Sequence, residues 1–210
     1  MNTGLVTVVL LAPALAVLAL AVQRRGPASL GRIRVRGKGW IVAAAAVQYL
    51  RATEPGWARS VLDLGDGALL VALCLCGLGF AVANGRTAGR AVRTSLALFV
   101  LGMGLNALAT VANGAMPYSV TSARLAGAGE AAIAAPAPGH MPAGPGTHLM
   151  PLADVVPVPG LHIVFSLGDV LLWVGLAGYL VALARAATVL PGPEAGVVTT
   201  STTRATEPAY

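Results

Sequence analysis

Five runs of apolar residues, separated by short polar segments, make up most of this chain. They cover residues 5–22, 40–52, 61–84, 91–112 and 167–186. A helix needs roughly 20 apolar residues to cross the hydrocarbon core of a bilayer, and all but the second run approach or exceed that length. The second run would form a helix of only about 20 Å: a thin span, a re-entrant piece or an interfacial helix. The pattern predicts an all-α, polytopic transmembrane helix bundle with about five spans, of which the second is short.

Composition supports a membrane protein rather than a soluble domain. Hydrophobic residues make up 56% of the 210 residues and charged residues only 10%, whereas a soluble domain carries about 25% charged residues. The mean hydropathy is +0.76. The lipid bilayer is therefore the first partner that the sequence implies for this multi-pass chain.

Basic residues predict how the bundle is oriented. Cytoplasmic segments of membrane proteins carry an excess of Lys and Arg. With five spans, the inside segments would hold Arg24, Arg25, Arg32, Arg34, Arg36, Lys38, Arg86, Arg90, Arg93, Arg185 and Arg204. The outside segments would hold only Arg51, Arg59 and Arg124. The N-terminus is thus expected outside and the C-terminus inside, and the net charge of +6 indicates topology rather than nucleic-acid binding.

Two segments are predicted to lie outside the membrane. Residues 113–166 form a long outer loop, whose stretch 123–147 is rich in Ala, Gly and Pro and is expected to be mobile. Residues 191–210 form a polar tail that is expected to be disordered in the cytoplasm.

The tetrapeptide Val-Ala-Asn-Gly occurs twice, at 82–85 and 111–114. A repeated helix C-cap explains it, since Gly is favoured just past the last turn.

Polar residues gather where the fourth and fifth runs meet the outer loop. Asn106, Thr110 and Asn113 are spaced i, i+4, i+7 and form one stripe on a helix. The spacing Ser166-x-x-Asp169 before the fifth run is that of a capping box. Helix–helix hydrogen bonding and a ligand-lined cavity are both open explanations of the stripe. Helix capping and a binding role are both open, and compatible, for Asp169.

The sequence predicts a small polar pocket at the extracytoplasmic face, closed by the outer loop as a lid. Such a pocket would bind a small polar ligand, a lipid headgroup or an ion. The alternative is a structural or assembly protein, or a transporter subunit with no site of its own, which would form a homo-oligomer or join a membrane partner. The residues expected to form the pocket are Asn106, Asn113, Ser119, His148, Asp154, Ser166 and Asp169.

No motif favours an enzyme, a metal or a cofactor. The chain has no Walker loop, no HExxH and no GxSxG. Ser119, His148 and Asp169 could converge as a hydrolytic triad, but their spacing gives no support for one. The His and Met residues near 140 and 148 could bind copper, but they match no fixed geometry. No metal or cofactor is therefore predicted.

A family resemblance follows from an ordered set of residues between about 95 and 180. The set is Asn106, Asn113-Gly-x-Met116-Pro117-x-Ser119, His148, Leu152-x-Asp154-x-x-Pro157 and Val164-Phe165-Ser166-x-Gly168-Asp169-Val170. In this order it resembles a group of small bacterial membrane proteins, domain-of-unknown-function family 5317. Gln48 and Asn84 are similar to polar positions in the earlier spans of that family. The resemblance implies a plasma-membrane bundle and no known activity, and the Ala/Pro/Gly stretch of the outer loop departs from it.

Overall fold

Helices carry most of the chain in the computed structural model, which describes residues 35–53, 55–62, 66–86 and 88–189. The predicted first span, 5–22, and the predicted tail, 191–210, lie outside these residues. In chain order the first helical elements are α1 (Lys38–Thr53), a 3-10 turn (Gly56–Ala58), α2 (Arg59–Leu62), α3 (Asp66–Gly85) and α4 (Arg90–Asn113). The predicted short second run is thus a helix of 16 residues.

The outer loop contains short elements rather than irregular chain alone. They are β1 (Met116–Tyr118), α5 (Val120–Leu125), α6 (Glu130–Ala134), β2 (His140–Pro142), a 3-10 turn (Met150–Leu152), β3 (Val156–Val158) and β4 (Ile163–Phe165), and helix α7 (Leu167–Val189) follows. Strands β1 and β2 pair in parallel, with Met116 opposite His140. Strands β3 and β4 pair antiparallel, with Val156 opposite Phe165. The all-α prediction is therefore confirmed in its helical part, and four three-residue strands are added to it.

Among the described residues, two helical segments are long and apolar enough to cross a membrane, Gly67–Gly85 and Arg90–Asn113. A shorter apolar segment, Leu167–Leu183, lies in α7. The predicted third span, 61–84, covers the end of α2 and nearly all of α3, which the structure describes from Asp66 to Gly85.

Residues 123–147, which the sequence predicts to be mobile, include the end of α5, all of α6 and strand β2. Their backbone is bound by distant groups that local composition does not reveal. The Met116 amide donates to the Gly139 carbonyl at 2.8 Å, and the Tyr118 hydroxyl donates to the Ile133 carbonyl at 3.0 Å. Arg124 forms an exposed ion pair with Glu130, with Nε and Oε1 2.8 Å apart.

Helices α4 and α7 pack very closely and run antiparallel, since Gly102 meets the start of α7 and Ser95 meets its middle. A Cβ on Gly102 would lie 2.5 Å from the Leu172 nitrogen, and one on Gly175 would lie 2.6 Å from the Ser95 carbonyl oxygen. Both distances are shorter than any real Cβ contact. Small residues at such an interface let two backbones approach, as is common between membrane helices.

Two asparagines, one in each Val-Ala-Asn-Gly copy, anchor distant backbone. Asn84 Oδ1 accepts from the Arg36 amide at 3.0 Å, and its Nδ2 donates to the Arg36 carbonyl at 2.9 Å. Asn113 binds the backbone of His148 through the same pair of hydrogen bonds. Its Oδ1 accepts from the His148 amide at 2.8 Å, and its Nδ2 donates to the His148 carbonyl at 2.9 Å. The repeat therefore encodes a backbone clamp as well as a helix end.

Of the two predicted C-caps in the repeat, the second is confirmed in its geometry. Gly114 follows α4 in the left-handed conformation, with φ at 79°, which glycine adopts without steric cost. Gly85 is instead the last residue of α3. At that end of the bundle the Tyr179 hydroxyl of α7 donates to Asn84 Oδ1 at 2.7 Å, so one amide ties together α7, α3 and the chain before α1.

Replacing Gly102 by Ala should lower the melting temperature of the detergent-solubilised protein. The added Cβ must push α7 away from α4, and overpacking of this kind costs about 1–3 kcal/mol. Gly104→Ala is the matched control on the same helix, because a Cβ there meets nothing within 4 Å. Thermal unfolding that shifts equally for the two variants would contradict the close α4–α7 contact.

Candidate functional site

The first turn of α7 is closed by a reciprocal pair of hydrogen bonds. The Asp169 amide donates to Ser166 Oγ at 2.9 Å, and the Ser166 amide donates to Asp169 Oδ2 at 3.0 Å. This is the predicted capping box, confirmed with Asp in the place of the usual Glu. It satisfies two amides that a helix start leaves without partners, and it holds the Asp169 carboxylate at the positive end of the helix dipole.

Asn106 of α4 joins this capping box and closes a ring of hydrogen bonds. Its Nδ2 donates to Asp169 Oδ1 at 2.7 Å, and its Oδ1 accepts from Ser166 Oγ at 2.8 Å. Ser166 is completely buried. Residue 168 must be glycine here, because a Cβ at that position would overlap the Asn106 side chain. The stripe residue Asn106 therefore fixes the start of α7 against α4.

Asp154 is brought to the same place by the outer loop. Its amide donates to the Pro117 carbonyl and its carbonyl accepts from the Ser119 amide, both at 2.9 Å. The residue is only 6% exposed. Its Oδ2 lies 3.8 Å from His140 Nε2, beyond hydrogen-bond distance. Its buried Oδ1 has no hydrogen-bond partner among the described residues.

These groups line a cavity of about 220 Å³ between the helices and the outer loop. Its polar lining comes from α1, α4, the outer loop and α7: Gln48, Arg51, Asn106, Thr110, His140, Asp154 and Asp169. The rest of the wall comes from α3, α4, β1, the outer loop and α7: Leu70, Leu73, Cys74, Met103, Met116, Gly139 and Leu172. A larger groove of about 340 Å³ lies between α3 and α4. It is lined almost wholly by apolar side chains, so it offers no group that could orient a polar ligand.

The two carboxyl groups of the cavity influence each other. Burial raises the pKa of Asp154 from 3.8 to about 8, and the negative charge of Asp169 adds to the increase. Burial and a like charge both disfavour the ionised form of a carboxyl group. Asp154 is therefore mostly protonated at pH 7.

The structure brings together four of the seven predicted pocket residues. Asn106, Asp154 and Asp169 line the cavity. Ser166 forms hydrogen bonds with Asn106 and Asp169. Gln48, which the sequence marks as polar near the outer end of the second run, also lines it.

The other three predicted residues serve the fold. Asn113 clamps the backbone of His148. Ser119 caps α5, its Oγ accepting from the Ser122 amide at 3.2 Å. The side chain of His148 is not part of the cavity wall. The possible triad of Ser119, His148 and Asp169 is thus not assembled around this cavity.

Three further polar residues of the cavity wall were not among the predicted pocket residues. Thr110 could have been included, because it lies one turn from Asn106 in the polar stripe. Arg51, which the sequence analysis counts only among the outside basic residues, lies in the cavity wall. His140 had no local signal at all, because the parallel pairing of β1 with β2 brings it in. Within the described residues, no group of three His, Cys, Asp or Glu side chains is arranged to hold a metal ion.

Residues 33–181 match the model of a family described as "Family of unknown function (DUF5317)". The matched range contains every residue that lines the cavity. No curated protein and no solved structure matches the chain.

Asp154→Asn should alter how stability depends on pH. The folded chain keeps the Asp154 proton between about pH 4 and pH 8, whereas the unfolded chain loses it near pH 4. Wild-type stability therefore falls as pH rises through that window, by at most about 1.4 kcal/mol per pH unit. The variant lacks this contribution, so the wild type loses stability relative to it between pH 5 and pH 8.

The measurement is the melting temperature of both proteins in one detergent across this range. Glu130→Gln is the control, because Glu130 is an exposed carboxylate whose pKa is lowered by hydrogen bonding to Arg124. Parallel pH profiles for the wild type and Asp154→Asn would show that Asp154 does not hold a proton in the folded state.

Proposed function

This chain belongs to DUF5317, a family of unknown function, and we propose that it is an integral membrane protein that binds a small polar ligand in the cavity of Asp154 and Asp169. The family has no known activity that could be assigned to this chain. The proposal therefore depends on the apolar surface of the bundle, the distribution of charge between its two ends and the chemistry of the cavity.

Exposed apolar side chains support the membrane location. Large hydrophobic residues are exposed along all three long helices: Val71, Leu75, Leu78, Val82, Leu101, Leu108, Val111, Leu167, Val170 and Val174. In water, contiguous apolar surface of this kind promotes aggregation or association. In a bilayer the same side chains contact lipid at no cost, and only the polar groups need partners inside the bundle.

Charge supports an orientation with the cavity on the outer side. Arg86, Arg90 and Arg93 lie at the connection between α3 and α4, and the outer loop leaves from the other end of α4. Between residues 114 and 166 the only basic residue of the Lys and Arg type is Arg124. By the positive-inside rule, the loop and the cavity would face away from the cytoplasm.

The course of α1 supports the model of five spans. The chain before α1 is bound by Asn84 at the basic end of the bundle, and Gln48 and Arg51 near its other end line the cavity. Helix α1 therefore runs from one end of the bundle to the other, over about 24 Å. With the apolar run 5–22 before it, the order would place the N-terminus outside and the C-terminus inside.

The observation that carries the binding proposal is the unpaired oxygen of Asp154. A buried polar atom without a partner costs about 1–3 kcal/mol, and the side chain that carries it belongs to the wall of a cavity large enough for a ligand. A ligand that donates a hydrogen bond to Oδ1 would remove this cost. The helix cap and the Asn106 contact, in contrast, are satisfied without any ligand.

A structural or assembly role is the second candidate, and a specific set of contacts favours it. The ring of Asn106, Ser166 and Asp169 and the clamp of Asn113 on His148 both hold the outer loop to the bundle. They would do so in a protein whose only task is to support a partner. This role leaves the unpaired Asp154 oxygen unexplained, so binding remains the better-supported function.

Native mass spectrometry of protein extracted in a mild detergent tests the proposal. A bound mass should accompany the wild type and be lost or much reduced in Asp154→Asn, because the amide cannot provide the same acceptors. Glu130→Gln, which changes an exposed carboxylate outside the cavity, should retain it.

Thermal-shift screening with small polar compounds extends the test to ligands that are lost on purification. A ligand present at 100 times its dissociation constant adds about 2.7 kcal/mol of stability. If no bound mass and no stabilising compound is found for the wild type, the binding function is wrong and the structural role is favoured.

A further inference from the structure

We propose that the ligand of this cavity presents a primary ammonium group, held between the carboxyl groups of Asp154 and Asp169. The inference rests on the proposed function and names the chemical class of its ligand. It follows from which hydrogen-bonding positions are already used in the cavity, from the balance of charge around it and from its size.

When both carboxyl groups are ionised, their unused hydrogen-bonding positions are acceptors. Each carboxylate has two oxygens and about four lone-pair sites. Asp169 uses one site on each oxygen, for Asn106 Nδ2 and the Ser166 amide, and Asp154 Oδ1 uses none within the described structure. A ligand that fits must therefore bring donors. A primary ammonium brings three N–H donors on one atom, which can be shared between two carboxyl groups.

The charges around the cavity favour a cation. Within the described part of the chain, the titratable or charged groups that line the cavity with Asp154 are Asp169 of α7, His140 of β2, Arg51 of α1 and Cys74 of α3. Once Asp154 has lost its proton, two carboxylates in this lining stand against one guanidinium, and an anionic ligand would have to approach both carboxylates. A metal ion is the less suitable cation, because the described residues do not offer three ligating side chains in one place.

The size of the cavity limits the ligand to a small amine or a headgroup. An apolar cavity of about 150 Å³ holds benzene, so 220 Å³ admits a ligand of roughly six to ten non-hydrogen atoms on the same scale. A free small amine and the ethanolamine headgroup of a phospholipid share the same terminal group, –CH2–NH3⁺. The cavity lies at the outer end of an apolar bundle, where either source could reach it.

Binding of an ammonium would displace the proton of Asp154. The empty cavity holds this carboxyl group mostly protonated at pH 7, since its pKa lies at about 8. A neighbouring positive charge favours the ionised form, so the O–H bond of Asp154 breaks, the proton passes to solvent and the carboxylate pairs with the ammonium. The net charge of the site is unchanged, because one ammonium binds and one proton leaves.

This exchange makes the affinity depend on pH. Below about pH 8, each unit of acidification should weaken binding roughly tenfold, because the proton competes with the ligand for the same carboxyl group. Between pH 6 and pH 8 the dissociation constant of the wild type should fall by about 50-fold.

The test is calorimetric titration of the full chain in detergent with ethanolamine at pH 6, 7 and 8. Choline is the matched probe, because it carries the same charge without an N–H donor, and ethylene glycol is the neutral probe. Asp154→Asn should bind ethanolamine more weakly and without the pH dependence. Asp154→Glu, which retains the carboxyl group, should keep the pH dependence and guards against a variant that merely misfolds.

The lipid source is tested by native mass spectrometry after reconstitution into vesicles of dioleoylphosphatidylethanolamine and dioleoylphosphatidylcholine in equal amounts. Selective retention of the ethanolamine lipid by the wild type, lost in Asp154→Asn, supports the proposal with the headgroup as source. Binding of free ethanolamine in preference to choline supports it with a soluble amine as source.

Other outcomes overturn the inference and separate it from the proposed function. If ethylene glycol or an anionic compound binds and neither ammonium source does, the ammonium assignment is wrong and the cavity remains a binding site. An ethanolamine affinity that is equal at pH 6 and pH 8 overturns the exchange with the Asp154 proton. If no probe binds and no mass is retained, both the inference and the proposed function fail.

Discussion

The closed ring of hydrogen bonds among Asn106, Ser166 and Asp169 is the interaction on which the rest of the described structure depends. Its three side chains lie where strand β4 ends and helix α7 begins, and they bind the first turn of α7 to α4. Each bond contributes about 1 kcal/mol net in an ordinary setting, and more where water is excluded. Gly168 and Gly102 let the two backbones approach closely enough for the ring to form, because a Cβ at either position would overlap atoms of the facing helix.

The ring also explains why the two acidic residues of the cavity differ. Asp169 has both oxygens engaged by groups of its own helix and of α4, so its position is set by the fold. Asp154 is positioned only through its backbone, and its carboxyl group is left with an unpaired oxygen. Proteins tolerate such local costs mainly where function requires them. The fold thus keeps one carboxyl group for structure and leaves the other one available.

Local sequence patterns revealed the parts of this site that are built from neighbours in the chain. The Ser166-x-x-Asp169 spacing predicts the cap, and the stripe containing Asn106 predicts a polar contact across helices, because both depend on the helical repeat. His140 could not be found in this way, since its position depends on pairing between strands more than twenty residues apart. The clamp of Asn113 could not be found for a related reason: its amide is used by the backbone of residue 148, which no local pattern indicates.

The two asparagine clamps have a consequence for which positions of the chain are free to vary. Asn84 and Asn113 bind the amide and the carbonyl of a distant residue, and make no use of that residue's side chain. Only an uncharged amide offers a donor and an acceptor in this arrangement, so Asp or Ser could not replace either asparagine with the same bonds. As far as the clamp is concerned, position 148 can accept almost any residue that keeps its amide hydrogen. Each clamp therefore depends strictly on the asparagine side chain and does not depend on the side chain of the residue that it binds, although the two residues touch each other.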